Sequence, residues 1–246
     1  MTIPPPTAHV PASVRRRAGD SPVVPVWENA DGGLTFRVGE SSSGVHVKWG
    51  PASYRDLFRR EASTLRWAAP WITVPRVLEL DVLDADGGVI LVTSSIAGRS
   101  AVVPDWIARP ETAARACGEA LRQLHDALPV ASCPFSWQVD TRIAEAESRG
   151  VVVPEALRSA PPIDRLVVCH GDPCVPNTLL DDVGAPAGFV DLGALGLADR
   201  WADLAVGSMS LEWNYGPGFD HLYFEGYGIE PDRERVGYYR ALWNAT

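Results

Sequence analysis

The chain of 246 residues is 46% hydrophobic and 22% charged, a globular balance that can bury a sizeable core in one compact unit or two small lobes. No apolar run approaches the roughly 20 residues of a transmembrane helix, the start Met1-Thr2-Ile3-Pro4-Pro5-Pro6 lacks an apolar leader, and Cys117, Cys133, Cys169 and Cys174 show no repeated C-x-x-C spacing; the expectation is a cytoplasmic protein with reduced thiols and no membrane partner. The net charge of −9 arises wholly in residues 98–246, which hold 12 basic and 21 acidic side chains against 10 and 10 in residues 1–97, a balance that disfavours nucleic acid and suits a cationic partner.

In chain order, residues 1–22 are rich in Pro and Arg and are expected to begin disordered, with a short helix through Ala12–Ala18. From Val23 to Pro51 three apolar runs, Val23–Trp27, Leu34–Val38 and Val45–Trp49, alternate with turns and predict a β-meander. The amphipathic stretch Ser53–Ala69 predicts a helix that Pro70 and Pro75 end. Val77–Val82 and Val89–Thr93 flank the turn Asp84-Ala85-Asp86-Gly87-Gly88 and predict a hairpin. After residue 95 helical spacing dominates. Helices are predicted over Thr112–Ala127, Val139–Glu147, Glu155–Ser159, Trp201–Leu211, Phe219–Tyr227 and Asp232–Trp243. The expected organisation is therefore an α+β, two-lobed chain: a segment 1–22, a small antiparallel sheet with one helix over 23–95, and a mainly helical lobe over 96–246.

Of the 22 basic residues, 21 are arginine, and Lys48 is the single lysine. Its compact ammonium is the point charge that phosphate contact uses where a planar guanidinium will not serve, although compositional drift would also leave one lysine behind.

The most specific segment is Arg165–Leu180, with His170-Gly171-Asp172 followed by Asn177, and then Gly188-Phe189-Val190-Asp191-Leu192-Gly193. With residue usages near one in twenty, the four positions His170, Gly171, Asp172 and Asn177 would recur by chance on the order of once in 10⁵ positions. This is the layout of a phosphoryl-transfer loop, in which one Asp accepts the proton of the acceptor hydroxyl while an Asn and a second Asp hold magnesium. Asn177 and Asp191 offer oxygen only, which suits a hard cation that keeps waters and takes ATP phosphates. Asp172 is then left to orient the nucleophile. His170 reads as a brace for the loop, and Cys169 and Cys174 beside it lack a fourth ligand for a metal, so packing is expected of them.

The stretch His170–Asp203 resembles the aminoglycoside O-phosphotransferases, whose signature is His-Gly-Asp, four residues, Asn, then Asp-x-Gly, and streptomycin 3''-phosphotransferases look most alike, through Cys169–Cys174 and Pro231-Asp232-Arg233-Glu234-Arg235. The resemblance extends upstream: Val47–Pro51 looks like the family's lysine strand, Glu61 is placed to pair with Lys48, and Val92–Gly98 looks like the linker between lobes. It implies a protein-kinase-like fold with its active site in the cleft. It also implies an activity, transfer of a phosphoryl group from ATP, with GTP as the alternative donor, to a hydroxyl of an aminoglycoside, and hence antibiotic resistance. On that resemblance Asp172 is the catalytic base, Asn177 and Asp191 hold Mg²⁺, Lys48 and Glu61 clamp the phosphates, the backbone of Thr93, Ser94, Ser95 and Ile96 meets the base, and Asp203 is structural. The phosphate loop is assigned to Asn29–Gly33 by position alone.

Two departures bear on the substrate. Ala194 stands where the family commonly has arginine, and the chain closes on Leu242-Trp243-Asn244-Ala245-Thr246 rather than on an acidic pair. Carboxylates for a cationic drug are therefore sought at Glu212, Asp220 and Glu225, with Trp213 and Tyr215 to cover a sugar face; exposed solubility charges are the equal alternative for each. The protein is expected to work as a monomer. A kinase for a small metabolite on the same fold is the competing reading. An inactive nucleotide-binding protein is disfavoured by intact Lys48, Asp172, Asn177 and Asp191, and a two-metal hydrolase by too few ligands.

Overall fold

The computed structural model describes residues 9–29, 32–40, 44–80 and 87–246. Residues 1–8, 30–31, 41–43 and 81–86 lie outside the described residues, and with them part of the phosphate loop assigned to Asn29–Gly33, the end of the predicted strand Val77–Val82 and the start of the turn predicted after it. The chain forms two compact units, one running to Pro70 and again over Val74–Ala97, the other made of Trp71–Thr73 and Gly98–Thr246.

The first unit contains α1 (Ala12–Ala18), β1 (Val23–Glu28), β2 (Leu34–Val38), β3 (Val45–Pro51), α2 (Arg55–Ala68), β4 (Val77–Leu80) and β5 (Gly88–Ser94). Its five strands are antiparallel throughout in the order β1-β2-β3-β5-β4. Because successive side chains on a strand point to opposite faces, each strand feeds two layers. On one face Val14 and Ala18 of α1 pack with Phe36, Val47, Ile90 and Val92. On the other, Phe58 and Ala62 of α2 pack with Val89 and Leu91. Residues 9–22, within the segment expected to begin disordered, thus carry a helix whose Val14 is fully buried. A single 3-10 turn, Ala52–Tyr54, precedes α2, so the α-helix begins two residues later than its apolar pattern suggests.

The second unit contains β6 (Arg99–Ser100), α3 (Pro104–Ile107), α4 (Pro110–Ala127), α5 (Val139–Ser148), β7 (Leu166–Cys169), β8 (Thr178–Leu180), β9 (Pro186–Phe189), β10 (Gly196–Asp199), α6 (Trp201–Tyr215), α7 (Asp220–Tyr227) and α8 (Arg233–Ala245). Its short strands form a β6-β8-β9 sheet and a β7-β10 pair, both antiparallel. Helix α6 is buried on every side from Trp201 to Leu211, as a helix apolar all round must be. Helices α4 and α7 cross closely because Gly118 has no side chain: a Cβ there would lie 2.0 Å from the Tyr223 carbonyl oxygen. The helix predicted over Glu155–Ser159 is corrected to one 3-10 turn, Glu155–Leu157. Pro154 before it and Pro161-Pro162 after it leave no room for a second turn. Trp71–Thr73 joins this unit because the Phe189 amide donates to the Thr73 carbonyl at 3.2 Å. No described helix is long and apolar enough to cross a membrane.

Candidate active site

In the first unit, β3 presents Lys48 on the face that α2 covers, and α2 presents Glu61 one turn beyond Phe58. Lys48 Nζ donates to Glu61 Oε1 at 2.6 Å, with Glu61 buried. The helix carries the partner and the strand carries the ammonium, so the charge is held in one position. The end of β5 and the residues after it are tied down on both sides. Ser94 exchanges bonds with Arg76 on the β4 side, and the Ser95 amide donates to the Gly44 carbonyl at 3.2 Å. Thr93 is buried, Ile96 half-buried.

In the second unit, β7 delivers the chain into His170-Gly171-Asp172. Gly171 takes φ 86°, and a Cβ there would lie 2.2 Å from the Ala194 carbonyl oxygen. Only glycine meets both demands. Gly171→Ala is expected to force the loop away from Ala194 and lower turnover by at least 10²-fold, on the order of what a 1 Å misplacement costs; steady-state kinetics on the purified variant checks this.

The loop hangs on one carboxylate. Asp203, in the first turn of α6 and fully buried, accepts the His170 amide on Oδ2 at 2.6 Å and the Gly171 amide on Oδ1 at 3.0 Å. His125 of α4 approaches the same Oδ2 with Nε2 at 3.1 Å, and its Nδ1 meets the Tyr227 hydroxyl of α7 at 2.9 Å. His125 Nε2, Cys169 Sγ and an Asp203 oxygen lie within 4.8 Å of one another. Each already has a protein partner: the Cys169 thiol donates to the Asp199 carbonyl at 3.5 Å, and burial holds it well above the ordinary thiol range.

His170 braces the loop from within. The Asp172 amide donates to its Nδ1 at 3.2 Å, which leaves Nε2 to carry the proton that it donates to the Val190 carbonyl at 3.1 Å. Phe189 packs edge-on against the ring at 5.4 Å. The loop is further held by Ser210 of α6, whose Oγ accepts the Val175 amide at 3.0 Å, with Asn214 donating to the Ser210 carbonyl at 2.7 Å.

Asn177 Nδ2 donates to Asp172 twice, to its carbonyl at 3.0 Å and to Oδ2 at 3.2 Å. With its nitrogen spent inward, the Asn177 side chain keeps its oxygen lone pairs available to ligate a cation. Oδ1 of Asp172 is buried and accepts no bond among the described residues. Burial, and secondarily Asp191, push the Asp172 carboxyl above the usual carboxylate range, against the pull of the Cys174 thiol and of Asn177. Pairing of β8 with β9, closed by the Val190 amide on the Asn177 carbonyl at 3.0 Å, brings Asp191 alongside Asn177. Asp191 has φ 62°, the one non-glycine residue in the left-handed region among those described, as strained residues at functional sites often are. The two are hard oxygen donors, a set that fits Mg²⁺.

Residues 25–239 match the phosphotransferase enzyme family. The chain belongs to that family. It is 34% identical to the streptomycin 3''-kinase of Streptomyces griseus over 251 residues, covering 88% of this chain and 89% of the relative. An aminoglycoside 3'-phosphotransferase of Streptomyces fradiae is 34% identical over 74% of this chain and 77% of its own. Among solved structures, the aminoglycoside phosphotransferase APH(3'')-Id of Streptomyces rimosus superposes with a TM-score of 0.73 at 30% identity, covering 94% of this chain and 95% of its own. That enzyme has also been solved with ADP and streptomycin. The protein is thus a phosphotransferase with the two-lobed α+β kinase-like fold.

Residues sought for a cationic substrate fall in several places. Glu212, on α6, pairs with Arg240 at 3.4 Å, and Glu225, on α7, with Arg115 at 2.6 Å. Trp213 is 59% exposed at the end of α6, three residues beyond Ser210. Asp220 opens α7. The Tyr215 hydroxyl donates to the Ala101 carbonyl at 2.6 Å, which occupies it structurally. Sequence reasoning missed His125, Ser210 and Asn214, whose partners are 35 to 102 residues away or serve a loop that no local pattern reveals. The signal for His125 was its place on the buried face of α4, one turn beyond Leu121.

Proposed function

We propose that this phosphotransferase moves the γ-phosphoryl group of ATP to a hydroxyl of an aminoglycoside of the streptomycin type, and that the modification confers resistance. The observation that supports it most is the Asp172 carboxyl: Asn177 holds one oxygen, and the other, buried, accepts no hydrogen bond among the described residues. That oxygen accepts the hydroxyl proton as the new O–P bond forms and the bond to the departing ADP oxygen breaks. Lys48, fixed by Glu61, meets the donor phosphates, and Thr93–Ile96 meet the base. Mg²⁺ held by Asn177 and Asp191 would neutralise phosphate charge.

The acidic balance of residues 98–246 draws in a polycation. Trp213 and Asp220 are our first substrate contacts. Glu212 and Glu225 serve only where a drug amine displaces Arg240 or Arg115. The test is ATP-to-ADP turnover with Mg²⁺ across streptomycin, hygromycin, kanamycin and neomycin, with choline and homoserine as controls. Saturable turnover with streptomycin is expected. Turnover confined to choline or homoserine would move the assignment to a metabolite kinase.

A further inference from the structure

Helices α4 and α7 are drawn together by a second glycine besides Gly118: a Cβ at Gly226 of α7 would lie 2.2 Å from the Arg115 carbonyl oxygen. The Tyr227 amide nitrogen then lies only 2.9 Å from where a Gly118 Cβ would stand. From there the Tyr227 side chain reaches along α4 to His125, about two turns on, and the two rings meet edge-on at 5.6 Å. Proton positions follow from the partners. Asp203 accepts an amide on each oxygen, so His125 Nε2 donates to Oδ2, and Nδ1 is left to accept the Tyr227 hydroxyl. Burial pushes that hydroxyl up to about 12, so it keeps the proton it gives.

Hydroxyl, imidazole and carboxylate in this order are the parts of a nucleophile triad, but Tyr227, His125 and Asp203 are all buried. A hydroxyl so enclosed meets no substrate, and the relay ends instead on the two loop amides. Its output is orientation. A carboxylate turns about its last bond unless its donors fix it, and here the amides come from the loop and the imidazole from α4. We propose that His125, its proton direction set by Tyr227, is a positioning residue for phosphoryl transfer: it holds the Asp203 carboxylate where the His170 and Gly171 amides meet it, and through them fixes Asp172. The inference rests on the reading of Asp172 as the base given above.

Turnover per competent site, with sites counted by MgADP titration calorimetry below each variant's Tm, separates this role from a merely structural one. On the full chain, His125→Leu should lower kcat per site about 10-fold, a part of what a 1 Å misplacement costs, while KM for ATP and MgADP affinity hold. His125→Gln, whose carboxamide nitrogen can stand where Nε2 stands, should restore most of kcat. Tyr227→Phe removes one hydrogen bond from the relay and should lower kcat about 3-fold. Adding His125→Leu to Asp172→Asn should cost nothing further, because His125 acts through the base. Unchanged kcat per site in His125→Leu, a loss that His125→Gln does not restore, or a full further loss in the double variant would overturn the proposal. Where His125→Leu does not fold, unchanged kcat per site in Tyr227→Phe overturns it. If Asp172→Asn alone keeps wild-type kcat, the reading of the base beneath the proposal fails, whatever His125 does.

Discussion

Replacing Asp172 by Asn is expected to lower kcat by roughly 10²–10⁴ while nucleotide affinity holds, because the variant keeps the shape of the side chain and loses only the proton acceptor. The same change should leave Tm unchanged or raise it. The Asp172 carboxyl sits above its ordinary range because burial disfavours its charge. A carboxyl whose folded pKa is raised opposes folding once the pH exceeds its unfolded value near 3.9, and this cost is absent below it. An uncharged amide removes that cost at neutral pH. The pH dependence of kcat/KM follows in the same sense: the base works ionised, so activity falls as the pH drops through a value above the ordinary 3.9 of an Asp. A folded variant with wild-type turnover would exclude Asp172 as the base. Paired kinetics and thermal melts read both.

Replacing Asp203 by Ala is expected to cost stability as well as activity. Two backbone amides, of His170 and Gly171, and the His125 ring converge on its carboxylate, and the side chain is fully buried. A buried donor left without a partner costs about 1–3 kcal/mol, so the two amides alone predict a loss on the order of 2–6 kcal/mol. In a chain of this length that lowers Tm by about 10 °C. Activity should fall even well below the new Tm, because Gly171 and Asp172 lose the anchor that fixes them. A melt within about 2 °C of wild type would show that the loop is held by other contacts, Ser210 foremost.

Much of the fold was legible because its elements announce themselves locally. The alternation of β2 and β3 and the amphipathic spacing of α2 and α4 depend on neighbours in sequence, and the strands and helices formed where those patterns lie. The short elements were not: β6 has two residues and exists only because Arg99 and Ser100 pair with Leu180 and Leu179. Glu155–Leu157 shows the opposite failure, a helical composition confined by prolines to one turn.

The segment His170–Asn177 stood out because phosphoryl-transfer chemistry demands particular residue types at particular spacings, and the structure brings Asp172, Asn177 and Asp191 together. Its supports were invisible for a physical reason. Asp203 receives bonds from residues 32, 33 and 78 positions away, and such convergence leaves no periodic trace.

The most direct test of the account is mass spectrometry of streptomycin after incubation with ATP, Mg²⁺ and the protein, wild type beside Asp172→Asn. The account predicts one added phosphoryl group with the wild type and unmodified drug with the variant over the same interval. Streptomycin left unmodified by a folded wild-type protein that binds ATP, or phosphorylated equally by the variant, would contradict it.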